Sequence, residues 1–401
     1  MAKSTILTAL DIGTNSIKFL VGQKKQNFEE ISIFAKGEIP HSVGVRKGEV
    51  YDFRKVGENL ASLKDKIQKS KKIKIRKVIV NIGGSHLFSV RSGGLVSVSR
   101  ADQKISQEDI DRVLQAAQAV NLPSNKEILE VVPQEFIVDG ERGIKNPLGL
   151  EGIRLEAKVS LVCSFSPVLE NLEKALFEAG LEVQEIIPSP LASSRAVLSP
   201  TQKELGVAAV DMGGGTTSLS VFAEGNLIDF AIFPIGSSNI TNDIAIGLRT
   251  EIATAERIKK EFGSFEFSSK KEKTKKGKIE IPEKEISFPS SFLRNIIKSR
   301  VSETFSEVAK NLKKISKETI LPSGVILTGG GASLPGLVEF AKQKFELPCY
   351  LSGPKGIGEV EEPSFSCCAG LLLSGFDFQE EDGGGEDLGS KFKKILKIFL
   401  P

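Results

Sequence analysis

The sequence contains few histidines and cysteines, and this scarcity limits the chemistry that we expect of it. Two histidines in 401 residues make a histidine-based metal site or catalytic triad improbable. The four cysteines lack zinc-ligand spacing, because Cys367 and Cys368 are adjacent and Cys163 and Cys349 each lie in apolar surroundings. We therefore expect buried, reduced thiols in a cytosolic protein rather than disulfides or a zinc site.

The chain also lacks the apolar segments that direct proteins into or across membranes. The apolar stretch Ile6–Leu10 soon meets Asp11, so we expect no signal peptide, and no apolar run is long enough to span a bilayer. The net charge of +3 is small and gives no reason to expect binding to nucleic acid. The length of 401 residues exceeds one ordinary domain, and two lobes are expected.

Three glycine-rich turns are the most informative feature that is present, and each follows an apolar, strand-like segment. They are Asp11–Lys18 (DIGTNSIK), Asp211–Thr217 (DMGGGTT) and Gly329–Gly336 (GGGASLPG). Each turn alone could be a β-hairpin that uses glycine for a positive φ. Three in this order favour a nucleotide held between two related halves, although the sequence has neither a Walker loop nor a Rossmann fingerprint.

Residue types in these turns suit a nucleotide. Glycine lets backbone amides approach phosphates, hydroxyls can bond phosphate oxygens, and Lys18 can reach the β or γ phosphate as a point charge. Two strand-terminal carboxylates, Asp11 and Asp211, suit Mg²⁺ held largely through its waters. The nucleotide-binding residues predicted in and near the turns are Asp11, Gly13, Thr14, Asn15, Ser16, Lys18, Asp211, Gly213, Gly214, Gly215, Thr216, Thr217, Gly236, Gly329, Gly330 and Gly331.

A coarse secondary-structure pattern surrounds these turns. Lys77–Ile82 predicts a buried strand, and the apolar spacing of Ser106–Val120 predicts a helix that Ser106 can cap. Pro167–Gly180 predicts a second helix, which is ended by glycine. The strand–turn–strand unit around Asp11 recurs around Asp211, and this repetition suggests that the two halves arose by duplication.

The three turns carry a resemblance to a known superfamily. In this order they resemble those of the actin, chaperone and sugar-kinase ATPases, which implies an α/β fold of two lobes, each with a ribonuclease-H-like sheet, and ATP with Mg²⁺ between them. The intervening segments are more specific, and from Thr8 to about Leu373 the chain is similar to the FtsA family of bacterial actin-like division proteins. The segments that carry this similarity are Asn81–His86, Val132–Gly140, Asn146–Glu156, Ile240–Thr250 and Ala255–Gly263.

The resemblance implies a division of the chain into subdomains. Residues 84–163 would form an inserted subdomain (1C) of the FtsA type, which in the family contacts the next subunit of a filament. The remaining expected parts are the first-lobe core (1A) at 1–83, 164–205 and 364–378, the second-lobe core (2A) at 206–238 and 301–363, the small subdomain (2B) at 239–300, a flexible acidic linker at 379–390 and an amphipathic helix at 391–401.

Further site residues follow only from the resemblance. Glu256 and Lys259 match positions that line the adenine pocket in bacterial actins, and the alternative is an exposed i,i+3 ion pair. Ser189 stands where many relatives that hydrolyse ATP well have a glutamate, and serine cannot act as a general base at neutral pH. We therefore expect nucleotide binding with at most weak ATPase activity.

One arginine is a candidate contact for a protein partner. In the family the partner is FtsZ, a tubulin-like protein whose C-terminal peptide docks on the small subdomain. Arg300, on a helix predicted over Phe292–Leu312, could contact that acidic peptide, and a solvated helix arginine is the alternative.

The last ten or so residues predict an amphipathic helix that lies on an anionic membrane surface. Lysines on the polar face would snorkel, and each could add about 1 kcal/mol near anionic lipid. A docked last helix is the alternative, but the acidic, glycine-rich segment Glu380–Ser390 argues for a flexible linker instead. The predicted membrane residues are Lys391, Phe392, Lys393, Lys394, Ile395, Leu396, Lys397, Ile398, Phe399 and Leu400.

These features together predict an actin-like, ATP-binding division protein. It would polymerise and tether the FtsZ ring to the cytoplasmic side of the plasma membrane at the division septum. The alternatives are a PilM-like pilus-assembly adaptor and an enzyme of the sugar kinase or exopolyphosphatase type. The lysine-rich stretch Lys270–Lys278 is either a solvated loop or a patch for acidic partners.

Overall fold

The computed structural model describes residues 4–25, 31–40, 43–265, 277–284, 286–315 and 319–381. The predicted membrane helix at 391–401 lies outside the described residues, as do most of the predicted linker and of the lysine-rich stretch. Within the part that is described, no helix combines the length and apolar character needed to cross a membrane.

The strands are β1 (Ser4–Ile12), β2 (Ser16–Lys25), β3 (Ser32–Pro40), β4 (Val45–Arg46), β5 (Glu49–Val50), β6 (Lys77–Ile82), β7 (Phe88–Ser97), β8 (Lys126–Val138), β9 (Glu141–Ile144), β10 (Arg154–Phe165), β11 (Glu182–Pro188), β12 (Val207–Met212), β13 (Thr217–Ala223), β14 (Asn226–Phe233), β15 (Lys278–Ile281), β16 (Ile286–Pro289), β17 (Val325–Thr328) and β18 (Cys349–Leu351). The helices are α1 (Phe53–Lys71), α2 (Gln107–Ala117), α3 (Ser166–Glu178), α4 (Ser189–Val197), α5 (Pro200–Leu205), α6 (Ser237–Leu248), α7 (Ile252–Phe262), α8 (Ser290–Ile315), α9 (Leu337–Phe345) and α10 (Ser366–Glu381).

Two five-stranded sheets share one topology. The first has the order β3-β2-β1-β6-β11, and the second has the order β14-β13-β12-β17-β18. In each, the first strand in sequence pairs antiparallel with the next strand and parallel with the strand that follows a long connection. The α/β fold with two related lobes is therefore confirmed, and the shared order supports the predicted duplication.

Helices α4 and α10 run between the two sheets and join the lobes. They cross almost in backbone contact, because a Cβ atom built on Gly370 of α10 would lie 1.7 Å from the carbonyl oxygen of Ala192 in α4. A charged pair fixes the same crossing: Arg195 donates two hydrogen bonds, of 2.8 and 3.0 Å, to the carboxylate of Asp377. Helix α10 continues to Glu381, so the first residues of the predicted linker are helical.

The inserted segment forms a compact unit of its own. Strands β7, β10, β8 and β9 make a four-stranded sheet, and α2 packs against it over a separate apolar core. The predicted helix at 106–120 is confirmed, with Ser106 and Asp109 forming a reciprocal capping box at its start. The helix ends at Ala117, a few residues earlier than the spacing predicted.

The small subdomain of the second lobe packs α6, α7, α8 and the β15–β16 hairpin over an apolar core that continues into the second sheet. The long helix predicted over Phe292–Leu312 is confirmed as α8, and the helix predicted over Pro167–Gly180 is confirmed as α3. Residues 239–300, expected to form this subdomain, comprise most of these elements, although α8 runs on beyond residue 300.

Candidate functional site

A cavity of about 570 Å³ opens between the two sheets, where β1 turns into β2 and β12 turns into β13. All three glycine-rich turns contribute to its walls. The predicted residues that line it are Asp11, Gly13, Thr14, Asn15, Ser16, Lys18, Asp211, Gly213, Gly214, Gly215, Thr216, Glu256, Lys259, Gly329, Gly330 and Gly331.

The first two turns have the same hydrogen-bonded geometry and face each other. The Gly13 amide donates to the Ser16 carbonyl at 3.1 Å, and the Gly213 amide donates to the Thr216 carbonyl at 2.9 Å. A Cβ atom built on Gly214 would lie 2.7 Å from Asn15 Oδ1, so the turns approach closely across the cleft. A side chain at position 214 would have to displace the Asn15 side chain, so glycine allows the two turns to lie this close.

Two predicted residues do not line the cavity. Thr217 is fully buried, and its hydroxyl donates to the Ile235 carbonyl at 2.8 Å, so the expectation that it bonds phosphate is wrong. Successive side chains of a strand point to opposite faces, and Thr216 and Ser218 take the cavity face. Gly236 precedes α6, where a Cβ atom would lie 2.4 Å from the Gly214 carbonyl oxygen; it supports the second turn from behind.

The buried side chains of Lys18 and Asp11 and the partly buried side chain of Asp211 line one part of the cavity. Lys18 Nζ lies 3.9 Å from Asp11 Oδ2, and both side chains are 10% exposed. Burial raises the pKa of Asp11, and the Lys18 charge only partly offsets this effect. Burial also raises the pKa of Asp211 to about 6, a hydrogen bond from Ser193 opposes the shift, and the Asp11 charge adds to it.

This arrangement fits a divalent cation. Two carboxylates that burial and mutual repulsion disfavour as anions gain most from a positive charge placed between them. The oxygen ligands are of the kind that Mg²⁺ takes, with its remaining positions filled by water and by phosphate. Asp11 and Asp211 are the residues that would hold it.

The third turn is shaped by a glycine with a positive φ. Gly329 has φ +85°, and a Cβ atom there would lie 2.2 Å from Asp211 Oδ1. Gly331 is similarly close to the second turn, since a Cβ atom built on it would lie 2.9 Å from the Met212 carbonyl oxygen. The backbone of the third turn therefore packs closely against the end of β12 and forms part of the cavity wall.

Glu256 and Lys259 form part of the cavity wall and not an exposed pair. Lys259 is only 6% exposed, and its ammonium group contacts Glu256 at 2.6 Å, Thr241 Oγ1 at 2.8 Å and the Ser237 carbonyl at 3.2 Å. Burial lowers the pKa of Lys259, with Glu256 opposing the shift. For Glu256, hydrogen bonds from Lys259 and Thr241 outweigh the effect of burial and leave its pKa below the usual value.

Ser189, at the start of α4, lines the cavity without offering a base. Its hydroxyl donates to the Ile82 carbonyl at 3.1 Å and accepts from the Asn81 amide at 3.0 Å. Asn81 in turn accepts from the Ile12 amide at 2.7 Å, so this network ties Ser189 to the end of β1. The serine therefore has a structural role beside the cavity.

Sequence reasoning missed several residues of the cavity wall. Cys367, at the start of α10, lines the cavity and hydrogen-bonds Asp11, while burial raises its thiol pKa well above the usual value. Gly48 also lines it, on the β4–β5 hairpin. A two-residue turn ending in glycine, as in Arg46-Lys-Gly-Glu49, is the signal that could have identified this hairpin.

Arg300 lies away from the cavity, on α8. Its guanidinium donates to both carboxylate oxygens of Asp243 on α6, at 2.6 and 2.9 Å, and to Glu303 at 2.6 Å. The Asp243 hydrogen bonds raise the pKa of Arg300 further above its ordinary value. The arginine side chain is 24% exposed, so an edge of it remains at the surface.

Two family models match the chain. The model described as "Cell division protein FtsA" matches residues 208–370. The model described as "SHS2 domain inserted in FTSA" matches residues 84–163, which are the residues of the inserted four-stranded unit and its connections.

Curated relatives match over nearly the whole chain. The cell division protein FtsA of Pseudomonas aeruginosa is 34% identical over 394 residues, which cover 96% of this chain and 93% of the relative. That of Bacillus subtilis is 34% identical over 374 residues, or 93% of this chain and 84% of the relative. That of Escherichia coli K12 is 31% identical over 393 residues, or 94% and 92%.

Solved structures show the same fold at much lower identity. A chain of the PilM–PilN type IV pilus biogenesis complex has a TM-score of 0.65 at 15% identity and covers 92% of this chain and 98% of its own. MreB5 of Spiroplasma citri bound to ADP has a TM-score of 0.53 at 13% identity, covering 95% and 99%. These likenesses establish the actin-like fold.

Proposed function

The chain belongs to the FtsA family of cell division proteins, and from this premise we propose that it binds ATP, polymerises and tethers the FtsZ ring to the membrane. The cavity between two equivalent turns, lined by a lysine and two carboxylates, is the observation that supports ATP binding most directly. The full-length relatives are division proteins, so the pilus-adaptor and kinase alternatives are not favoured.

The proposed ligand is ATP with Mg²⁺. Amides of the turns around Gly13 and Gly214 would cradle the phosphates, Lys18 would neutralise their charge, and the backbone at Gly329–Gly331 would face the adenosine. Mg²⁺, when bound, supplies positive charge to the phosphate oxygens and relieves the repulsion between Asp11 and Asp211. Glu256 and Lys259, which are already held together in the wall, would border the base.

Hydrolysis is proposed to be slow. By the superfamily resemblance, Ser189 stands where many ATPases that hydrolyse well carry a glutamate, and its hydroxyl already donates to a backbone carbonyl. A residue without a basic group cannot take a proton from water at neutral pH. Turnover should therefore stay below about 1 s⁻¹, the low end of the ordinary enzyme range. A steady-state phosphate-release assay measures this rate, and faster turnover would contradict the proposal.

Membrane attachment is proposed to depend on avidity. The segment 391–401 alternates lysines with bulky apolar residues, and one short amphipathic helix binds lipid only reversibly. A row of such helices on a filament binds far more strongly, because each later attachment is intramolecular. The acidic linker would be repelled by anionic lipid and keep the body a short distance from the surface.

We propose that the small subdomain docks the acidic C-terminal peptide of FtsZ, with Arg300 at the edge of the site. Because Asp243 and Glu303 already hold this arginine, an incoming carboxylate would have to share it with them. Replacing it (Arg300→Ala) should weaken peptide binding several-fold, whereas Lys298→Ala, at an exposed position on the same helix, should not. Equal affinities of both variants for the labelled peptide would remove Arg300 from the site.

The tether proposal is tested by co-sedimentation with liposomes. The full chain is compared with a chain ending at Gly389, on anionic and on zwitterionic vesicles, with and without ATP and Mg²⁺. We expect only the full chain to sediment, with anionic vesicles, and ATP to increase the bound fraction. If both chains stay soluble under every condition, the C-terminal segment does not bind membrane and the tether proposal fails.

A further inference from the structure

A strongly basic stretch covers the end of α1 and the connection that leads into β6. The fourteen residues 64–77 include seven lysines, Arg76 and a single acidic residue, Asp65, so their net positive charge exceeds the +3 of the whole chain. Seven of these basic residues are exposed, and together they are called the basic face. They are Lys66, Lys69, Lys71, Lys72, Lys74, Arg76 and Lys77.

The charges of the basic face are largely uncompensated by the residues that the structure describes. Its members form no ion pair with another described residue, and Lys71 lies instead over the ring of Phe34, with Nζ 5.8 Å from the ring centroid. Two acidic residues lie beside the face: Asp65 within the stretch, and Glu182, which is opposite Lys77 in the register of β6 and β11. Two carboxylates cannot balance seven cations, so the face favours a further anionic partner.

Helix α10 runs towards the end of the first sheet at which the basic face lies. Cys368 Sγ is 3.6 Å from the Lys18 carbonyl oxygen, near the turn that joins β1 to β2. About two helical turns later, a Cβ atom built on Gly375 would lie 3.1 Å from Leu7 Cδ1, towards the start of β1. Strand β6 is parallel to β1, so its first residue, Lys77, lies at this same end.

The chain that follows α10 carries the opposite charge. The eight residues 380–387, here called the acidic segment, consist of five carboxylates and three glycines. Helix α10 continues to Glu381, and the predicted membrane residues begin ten residues later, at Lys391. Ten residues span at most about 35 Å, so the acidic segment is tethered within reach of the basic face. A short tether of this kind corresponds to an effective concentration of about a millimolar.

We propose that the acidic segment docks on the basic face and thereby fixes where the C-terminal residues 391–401 leave the body. Exposed ion pairs are individually weak, but several pairs formed within one chain need no bimolecular encounter. An anionic lipid surface is the other partner that this charge could attract. The acidic segment is favoured because it is covalently held at the same end of the sheet and contains no cation. The docking needs neither ATP nor lipid, so it can fail while the proposed function stands.

Acetylation of lysines, followed by mass spectrometry on the full chain without lipid or nucleotide, tests the docking. The labelling rate of each lysine of the basic face is compared with that of Lys298, which is exposed on α8. One variant replaces the five carboxylates by amides: Glu380→Gln, Glu381→Gln, Asp382→Asn, Glu386→Gln and Asp387→Asn. The matched control keeps the charge: Glu380→Asp, Glu381→Asp, Asp382→Glu, Glu386→Asp and Asp387→Glu. Thermal unfolding confirms that each variant folds.

In about 0.1 M salt, the lysines of the basic face should react about two- to fivefold faster in the amide variant than in the native chain, the range expected of exposed ion pairs. The charge-preserving control should react like the native chain, and Lys298 should react equally in all three. Salt at about 1 M shortens the Debye length to about 3 Å and should remove the difference.

Three results would overturn the docking. Equal rates in the native chain and the amide variant would show that the acidic segment does not shield the basic face. Protection that increases with protein concentration would assign the segment to a second copy of the chain. Protection that appears only when anionic vesicles are added would assign the face to lipid. None of these results bears on ATP binding, which calorimetric titration measures separately.

Discussion

Position 329 requires glycine for two reasons: its backbone has a positive φ, and neighbouring atoms leave no space for a Cβ atom. Its φ of +85° is costly for any residue with a side chain, and a Cβ atom would overlap Asp211 Oδ1 at 2.2 Å. Gly330, the next residue, has room for a methyl group, since a built Cβ atom would make only an ordinary van der Waals contact, at 3.6 Å from Ser364 Cβ. Two adjacent glycines of one turn thus carry different constraints.

Gly329→Ala should therefore lower the free energy of unfolding by about 1–3 kcal/mol, the usual cost of a strained backbone position. It should also weaken ATP binding, because Asp211 must move. Gly330→Ala is the matched control and should change stability by less than about 0.5 kcal/mol. Urea denaturation and calorimetric titration with ATP measure the two effects. Equal stability of the two variants would contradict the turn geometry.

Single residues show where sequence reasoning succeeded and where it stopped. The carboxylates and glycines of the cavity were predictable, because strand-terminal aspartate and glycine turns have few other uses in this order. Thr217 was misassigned, because the motif does not show which face of β13 each residue takes. The alternation of the strand points Thr217 away from the cavity, where its hydroxyl donates to a backbone carbonyl. Glu256 and Lys259 could not be placed without the fold, because the same spacing on an exposed helix gives an ordinary ion pair.

At the scale of elements, close packing of a strand on a helix shapes the inserted subdomain. A Cβ atom on Gly94 of β7 would lie 2.1 Å from the Val113 carbonyl oxygen and 2.7 Å from the Ala117 amide nitrogen, both in α2. The adjacent Gly93 faces the other way, with its nearest contact at 3.4 Å from the Ala157 carbonyl oxygen. A side chain could change its rotamer to make room, but these backbone atoms can move only if α2 itself moves.

Gly94→Ala should destabilise the inserted subdomain by about 2–3 kcal/mol, because α2 must move away from the sheet. Gly93→Ala should cost less than about 1 kcal/mol. Hydrogen exchange in residues 88–117 measures the difference, and unchanged exchange in Gly94→Ala would show that α2 is not held against β7 in solution.

A pair of glutamates lies at the joint between the inserted sheet and the first lobe. Burial, and secondarily the charge of Glu185 in β11, raises the pKa of Glu130 in β8 to about 8. Glu130 is thus protonated in the folded protein at pH 7, whereas the unfolded chain loses the proton near the ordinary glutamate pKa of 4.5. The stability contributed by this shift is fully present below pH 4.5, falls progressively as the pH rises from 4.5 to about 8, and is lost above that value, where both states are ionised.

Between about pH 7 and pH 9, the native chain should therefore lose about 1 kcal/mol of stability that Glu130→Gln retains. Glu127→Gln, at an exposed position on the same strand, is the control and should follow the native chain. Urea denaturation at a series of pH values gives the comparison. Parallel curves for native chain and Glu130→Gln would show that Glu130 is ionised throughout.

The main helices were easier to predict from the sequence than the residues at which they end or the short β4–β5 hairpin. Helix α2 follows from apolar periodicity, which a buried helix face imposes whatever it packs against, and the end of α3 follows from the glycine after it. The β4–β5 hairpin was missed, since two-residue strands are too short to show a period. The end of α10 at Glu381 was missed because the acidic sequence that follows Phe378 resembles a linker.

At the scale of the whole molecule, the two lobes are held together across the cleft. Ser238, on the second lobe, donates to Asn15 Oδ1 on the first at 2.7 Å, and Asn15 lines the cavity. We expect a nucleotide to enter when this contact opens. The lobes would then control access as well as affinity.

Ser238→Ala should speed both association and dissociation of ATP by about two- to tenfold, the effect of losing one hydrogen bond in the closed form. The dissociation constant should change little, because free and bound forms both make the contact. Ser306→Ala, which removes a hydroxyl bonded within α8, is the control. Stopped-flow fluorescence with a labelled nucleotide measures the rates, and unchanged rates would show that the cleft is open in solution.

The duplicated sheets have one further consequence, which concerns direction. In the first hairpin Asp11 is paired with Lys18, and at the equivalent place in the second hairpin Asp211 is paired with Ser218. Two matching halves alone would offer a chain of phosphates two opposite ways to lie. A lysine on one side and a serine on the other would favour one of these orientations, with the more negative end of the phosphate chain on the side of the first lobe.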